Sequence, residues 1–343
     1  MSFLQLNYKV ITLMALFIFI EQSLLAQNNK LQFKEDKTFK IVQFTDMHFV
    51  KGGERSPEVL KNIKSVMKEE VPDLVVLTGD IVTSSEEKDV AIASWKMITD
   101  LLKKYKTPYA ITFGNHDSEN VITNDELLEY LSKRPYCLLY DEGGDDVKGV
   151  GNFVLPIHSS NGVVEKLLYF LDSGAYSSVK ENGVGGYDWI GRSQIKWFAE
   201  TNQLWLKKNE EVEALFFFHI PLPEYKQAFD DGEYKIGVRM EEECSPEINT
   251  GMFAEMVQQG NVLGTFVGHD HNNNYLAQLY NIALCYGYMS GGNCYGDLPL
   301  NGARVILLEE EKKGFKTWLR RSDKKKLYEV ELPYVEKESN KED

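Results

Sequence analysis

The 343-residue chain is acidic: 52 Asp and Glu stand against 38 Lys and Arg, a formal charge of -14. Its length suits one large domain or two smaller ones, and its 43% apolar content suits a soluble core. The charge excludes a general nucleic-acid or anionic-membrane surface, whereas an anionic small substrate stays open because a bound metal ion reverses the local field.

At the N-terminus Lys9 precedes the apolar run VITLMALFIFI, followed by EQSLLA, which ends in Ala26, and polar QNNK. Charge, length and cleavage-site chemistry predict a signal peptide over residues 1–26 and a secreted or periplasmic mature protein. The run is short for a membrane span, which argues against the competing reading, an uncleaved anchor. Residues 27–36 read as a linker, 37–333 as the folded domain, and the charged tail 334–343 as disordered.

TFKIVQF, residues 38–44, alternates as a strand. Ser56-Pro57 gives a helix start, an N-cap followed by proline at the first helical position, continued by Leu60, Ile63 and Met67 and closed by Pro72. DLVVLTGD is a short β-branched run ending in Gly79-Asp80. A helix over 86–105, the strand PYAITF and a helix over 125–133 follow. This βαβαβα order predicts a parallel sheet covered by helices. Further on come KLLYFLDSG, a helix over 193–208, EALFFFHIP, a helix over 252–259, NVLGTFVGHDH, NIALCYGYM and GARVILLEE. The fold class is therefore mixed α/β with a second sheet. No internal repeat is present.

Five of the six histidines, His48, His116, His219, His269 and His271, fall at or just beyond the end of a strand-like run. Asp46, Asp80 and Asn115 occupy equivalent ends. Functional groups in open α/β sheets collect beyond the carboxyl ends of the strands, so five segments can converge on one rim. A single histidine or a Gly-Asp turn in such a place is ordinary turn or core chemistry. The joint pattern is different. His, Asp and Asn donors without cysteine suit Mn, Fe or Zn. So many such groups exceed what one tetrahedral ion takes and suit two ions sharing a carboxylate. His158 reads as structural.

In chain order DMH, GD, GNHD, H and GHDH resemble the motif set of calcineurin-like metallophosphoesterases, over Asp46 to His271. GYDWIGRSQIKWF and FFFHIPLPEY make the chain similar to the subgroup related to purple acid phosphatases. The resemblance implies a four-layer α/β/β/α sandwich with two mixed sheets. It implies two metal ions, Mn, Fe or Zn: Asp46, His48 and His271 hold the first, Asp80 bridges, and Asn115, His219 and His269 complete the second. It implies hydrolysis of a small phosphorylated substrate, a monoester ahead of a diester or nucleotide, by a hydroxide bridging the metals. His116 acts as general acid, and its neighbour Asp117 is expected to orient it. Gly114 is expected to permit the turn. Purple acid phosphatases place a tyrosine ligand three residues after the bridging aspartate; here that position is Thr83 and His48 takes over as ligand. No tyrosinate-to-iron absorption is expected.

Cys137, Cys244, Cys285 and Cys294 lack CxxC spacing, so no thiolate metal site is suggested. Cys285 and Cys294 flank YGYMSGGN and read equally as a bridge or as buried thiols. Tyr176, Tyr187, Trp189, Tyr286 and Tyr295 are candidates to line a substrate pocket; the competing reading is that Tyr187 and Trp189 pack against the helix that begins near Ser193. Lys324 to Lys326 read as solvated surface.

Overall fold

A computed structural model describes residues 30–84, 87–292, 294–296 and 301–333. The expected signal peptide and charged tail lie outside these residues. Among the described residues no helix is long and apolar enough to cross a membrane.

Two mixed sheets form the centre. The six-stranded sheet contains β2 (Thr38–Phe44), β3 (Leu74–Thr78), β4 (Tyr109–Thr112), β12 (Gly302–Glu309), β13 (Phe315–Arg321) and β14 (Lys326–Leu332) in the order β14-β13-β12-β2-β3-β4. β2, β3 and β4 are parallel, as the repeating strand–helix pattern predicts, and the three later strands add antiparallel. The eight-stranded sheet has the order β1-β5-β6-β7-β9-β11-β10-β8. Its strands are β1 (Leu31–Gln32), β5 (Phe153–His158), β6 (Val164–Phe170), β7 (Glu213–Phe217), β8 (Tyr234–Ile236), β9 (Val262–Val267), β10 (Leu276–Leu279) and β11 (Ile282–Tyr286). Here β6, β7, β9 and β11 run parallel.

Alternation along β6 shows how the layers stack. Leu168 and Phe170 belong to the core that also takes Val42, Val76 and Ile111 from the other sheet, with Val59 and Ile63 of α1 (Ser56–Glu70) and Trp95 of α2 (Lys88–Lys103). Leu167 and Tyr169 face the opposite way. They pack with Phe198 of α4 (Arg192–Leu206), Tyr225 of α5 (Glu224–Asp231) and Met252 of α6 (Met252–Gln259). The helices α1 and α2 thus cover one sheet and α4 to α6 the other. Phe153, Phe170, Phe217 and Phe266, one from each of β5, β6, β7 and β9, stack in a row with centroids 4.5 to 5.2 Å apart. Such rows are energetically useful beyond area alone.

Two expectations shift. The segment read as a linker joins the sheet: Leu31 pairs with Ile157 in parallel, Leu31 and Phe33 are buried, and His158 Nδ1 lies 3.2 Å from the Leu31 carbonyl. A short apolar pair inside a charged stretch carries too little periodicity to show this in advance. Ser56 is the first helical residue rather than the cap, and its hydroxyl donates to the Val50 carbonyl at 2.6 Å, pinning the loop after β2. α3 (Asn124–Leu131) does show a capping box, with Thr123 and Glu126 exchanging hydrogen bonds.

Candidate metal centre

Five of the parallel strands, β2, β3 and β4 of one sheet and β7 and β9 of the other, carry the motifs at their carboxyl ends. Asp46 and His48 follow β2, Asp80 follows β3, and Asn115 and His116 follow β4. His219 follows β7, and His269 and His271 follow β9. Gln43 ties the sheets together below the rim: its buried amide donates to Thr78 Oγ1 at 2.9 Å and to the Val267 carbonyl at 3.0 Å.

The rim backbone is tightly bent. Asp46, His48, Asp80 and His269 all have positive φ, 41° to 80°, which non-glycine residues adopt rarely and chiefly at functional sites. Gly79, at φ 83°, needs its conformation, and a Cβ there would stand 2.5 Å from His219 Nδ1. Gly114 serves differently from expectation. Its φ is not left-handed; the missing side chain makes room for Asp80, whose backbone nitrogen a Cβ would approach to 2.5 Å.

All seven candidate donor residues are nearly buried, and six of them fall into two groups. Asp46, His48, Asp80 and His271 form one group whose ligand atoms lie within 4.8 Å of one another, and Asp80, His219 and His269 form a second. Asp80 is common to both through a single oxygen: Oδ2 is 3.6 Å from His48 Nε2 and 3.1 Å from His219 Nε2. His48 Nε2 lies 3.1 Å from His271 Nε2, and His269 Nδ1 lies 3.3 Å from His219 Nε2.

Outer contacts fix which nitrogen faces inward. His219 Nδ1 donates to the Thr78 carbonyl at 2.8 Å, and His271 Nδ1 to the Tyr295 carbonyl at 2.9 Å. Each therefore turns Nε2 toward the centre, as outer partners of metal-binding histidines do. His48 Nδ1 lies 3.0 Å from Thr83 Oγ1, so the residue standing where a tyrosine ligand would be supports the histidine instead. Asp46 is held by Thr45 Oγ1, which donates to Oδ2 at 2.8 Å, and by the His269 backbone N–H at 3.0 Å from Oδ1.

The electrostatics fit bound cations. With the proton of His219 on Nδ1, a neutral ring would point its Nε2 lone pair at Asp80 Oδ2. Burial opposes charge on this ring, yet Asp80 raises its pKa to about 10. Burial likewise works against ionised Asp80, but His219 holds it well below the usual carboxylate range. A metal ion between the two would relieve the same clash without the proton. Burial lowers His48 to about 3 and His269 well below normal, keeping both rings neutral donors. Asn115 is 3% exposed and its Oδ1 has no hydrogen-bond partner, while its Nδ2 donates to Tyr176 OH at 3.4 Å. A buried unpaired amide oxygen beside histidine and carboxylate donors suits an N- and O-liganded ion.

The expected role of Asp117 is corrected. Its carboxylate does not reach His116. It accepts four backbone N–H groups instead: Asp80 at 2.8 Å, Ile81 and Val82 at 3.0 Å, and Gly114 at 2.8 Å. It therefore holds the turn that carries Asp80 against the turn that carries Asn115. Burial, with Asp80 adjacent, pushes it up to about 7, and the N–H groups of Val82 and Gly114 oppose this. The side chain beside His116 is Glu119, with Oε2 2.8 Å from Nδ1 but off the line of the ring N–H. The i,i+3 spacing of His116 and Glu119 is the sign of this contact in the sequence. The His116 backbone N–H donates to Asp80 Oδ1 at 2.8 Å, and its ring stands 5.2 Å from that of His48.

The aromatics divide. Tyr295 stacks on His271 with centroids 4.2 Å apart, and Tyr187 meets His269 edge-on at 4.2 Å and stacks on Tyr176. These three are partly exposed at the rim. Tyr286 is not: it is fully buried, with its hydroxyl 2.5 Å from Asp270 Oδ2. Trp189 packs beside Lys148. All four cysteines are free thiols, and Cys294 lies with His48 and His271 in a third group of ligand atoms within 4.8 Å. Sequence spacing alone gave no sign of that approach.

Comparison with known proteins agrees with this geometry. A profile described as calcineurin-like phosphoesterase matches residues 39–273. The chain is 34% identical to a protein of Arabidopsis thaliana named probable inactive purple acid phosphatase 29, covering 87% of this chain and 86% of that one. It is 31% identical to Phosphatase DCR2 of Saccharomyces cerevisiae, covering 85% of this chain and 55% of the relative. A dimetal phosphatase from Danio rerio shares the fold at TM-score 0.58 and 12% identity, covering 87% of this chain and 99% of that one. The chain belongs to the calcineurin-like phosphoesterase family.

Proposed function

We propose that the chain is an exported dinuclear-metal phosphoesterase acting on small phosphate monoesters. The observation that carries this reading is Asp80 Oδ2, placed between the His48 and the His219 groups. Asp46, His48, Asp80 and His271 would hold one ion, and Asp80, Asn115, His219 and His269 the other. Two bound cations supply the charge that neutralises phosphoryl oxygens and activates water for in-line attack.

The chain's own residues do the rest. Burial of the donors keeps the electrostatics strong by excluding bulk water. Asp46 and Asp117 fix the turns through backbone N–H groups, so the donors do not reorganise during the reaction. His116, partly exposed beside His48, is placed to give a proton to the departing oxygen. Glu119 at Nδ1 leaves Nε2 as the working end of that ring. Tyr176, Tyr187 and Tyr295 border the opening and would contact the organic part of the ester.

A second reading follows from the word inactive in the name of the Arabidopsis relative: a metal-holding binding protein without turnover. The intact donor set and His116 favour catalysis. The test is phosphate release from p-nitrophenyl phosphate by chelator-stripped protein before and after reloading with Mn, Fe or Zn. Restored turnover that disappears in Asp80→Asn is expected. Activity on bis(p-nitrophenyl) phosphate alone would make the enzyme a diesterase. No turnover on either ester with metal bound would establish the binding-protein reading. Export is tested by fractionating cells that express the full chain.

A further inference from the structure

The donor set accounts for the groups around Asp80, but it leaves one ligand-type atom at the centre unused. Cys294 Sγ lies within 4.8 Å of a ring nitrogen of His48 and of a ring nitrogen of His271. Metal–nitrogen and metal–sulfur bonds of roughly 2.0–2.3 Å put two donors to one ion at most about 4.4 Å apart. The sulfur therefore stands at the edge of that shell, and a movement of its side chain would bring it in.

The loop that carries the cysteine is tied to the site at several points. Arg55 donates to the Cys294 carbonyl at 3.2 Å. The next carbonyl, of Tyr295, accepts from His271 Nδ1 at 2.9 Å, and the Tyr295 ring stacks on that histidine. Gly291 lies so close to Met47 that a Cβ would overlap its backbone, and a Cβ on Gly292 would stand 2.9 Å from Arg55 Cβ. The segment thus packs against the loop bearing Asp46 and His48. Independently, the Asn115 oxygen, buried and without a partner, points to a cation at the neighbouring position, which shares Asp80 with this one.

We propose that Cys294 is a thiolate donor to the first metal position, added to Asp46, His48, Asp80 and His271, and that it biases that position toward zinc or iron over manganese. The inference rests on the dinuclear reading above. On metal uptake the S–H bond breaks, its proton passes to water, and the sulfur lone pair forms the bond to the ion. Softer thiolate donors select zinc and iron, whereas all-oxygen and nitrogen sets tolerate manganese. Sulfur in this shell also gives the site an oxidisable ligand, which an Asp and His set lacks.

The experiment loads the stripped full chain with cobalt(II) and records the near-ultraviolet spectrum. Wild type is expected to show a sulfur-to-cobalt charge-transfer band. Cys294→Ser should lose it while still binding two cobalt ions per chain, and Cys244→Ser, which changes the exposed thiol, should keep it. Iodoacetamide labelling located by peptide mass should find Cys294 alkylated in stripped wild type and protected after loading, a readout that does not require the variant to fold. Two bound cobalt ions without the band, a band surviving in Cys294→Ser, or equal alkylation with and without metal would overturn the assignment alone. Failure to bind cobalt at all would overturn the dinuclear reading and this assignment with it.

Discussion

Asp117→Asn tests the assignment that departs furthest from the sequence expectation. The native carboxylate is an acceptor only, and its two oxygens receive N–H groups from Asp80, Ile81, Val82 and Gly114. Asparagine keeps one acceptor oxygen and puts an NH₂ group where the other stood. The oxygen facing Asp80 and Gly114, or the one facing Ile81 and Val82, is lost, so two buried donors go unpaired. Each unpaired buried donor costs about 1–3 kcal/mol, a total of roughly 2–6 kcal/mol. For a chain of this size that lowers the thermal midpoint by roughly 4–12 °C. The assay is thermal and urea unfolding of stripped protein, at a pH above the value of about 7 to which burial raises the carboxyl. Metal content is then measured on reloaded protein. Because Asp80 and Asn115 sit on the loosened turns, affinity should fall about 10–100-fold. Unfolding within about 0.5 kcal/mol of wild type, the range of an inconsequential surface change, would refute the reasoning. If stability were intact and only the leaving-group dependence of the rate changed, Asp117 would be acting on His116 after all.

Gly79→Ala should push the His219 ring off the Thr78 carbonyl and lower the metal content toward one ion per chain by elemental analysis; full occupancy would show that the turn yields. His116→Ala should retain both metals but lose about 10²–10⁴ in rate on esters with poor leaving groups and less on p-nitrophenyl phosphate; an equal loss on both would exclude the acid role. Glu70 is 3% exposed and accepts from Trp318 Nε1 at 2.9 Å and Arg320 Nε at 2.5 Å, with Lys40 at 3.2 Å. Burial alone would raise its pKa, but these partners hold it below the ordinary value. A depressed folded pKa stabilises above the unfolded value of about 4.3 and stops doing so as pH falls through the folded one. Glu70→Gln should therefore lose about 1–3 kcal/mol at neutral pH, with the gap to wild type closing in acid. A gap that stays constant from neutral pH into acid, by urea unfolding, would exclude the ionic role.

Much of the centre can be read from the linear chain, because each donor sits at the end of an apolar, β-branched run. TFKIVQF, DLVVLTGD and PYAITF announce parallel strands, and the turn after a parallel strand opens on the rim. The chain thus determined the donor types, their order and the rim they share. Tertiary structure decided what lies between turns distant in sequence. Asp46 meets the His269 N–H across 223 residues, a contact that no local pattern encodes. Adjacency misplaced Asp117, because a carboxylate at the end of a tight turn finds unpaired backbone N–H groups closer than the next side chain. The same limit hid Cys294: a thiol in a glycine-rich stretch carries no periodicity, and only the packing of its loop against Met47 and Arg55 brings the sulfur to the histidines. It also hid β1, where Leu31 and Phe33 are buried because β5 offers them an open sheet edge. Strand ends and donor chemistry are local properties of the chain, whereas the pairing of loops depends on how two sheets stack.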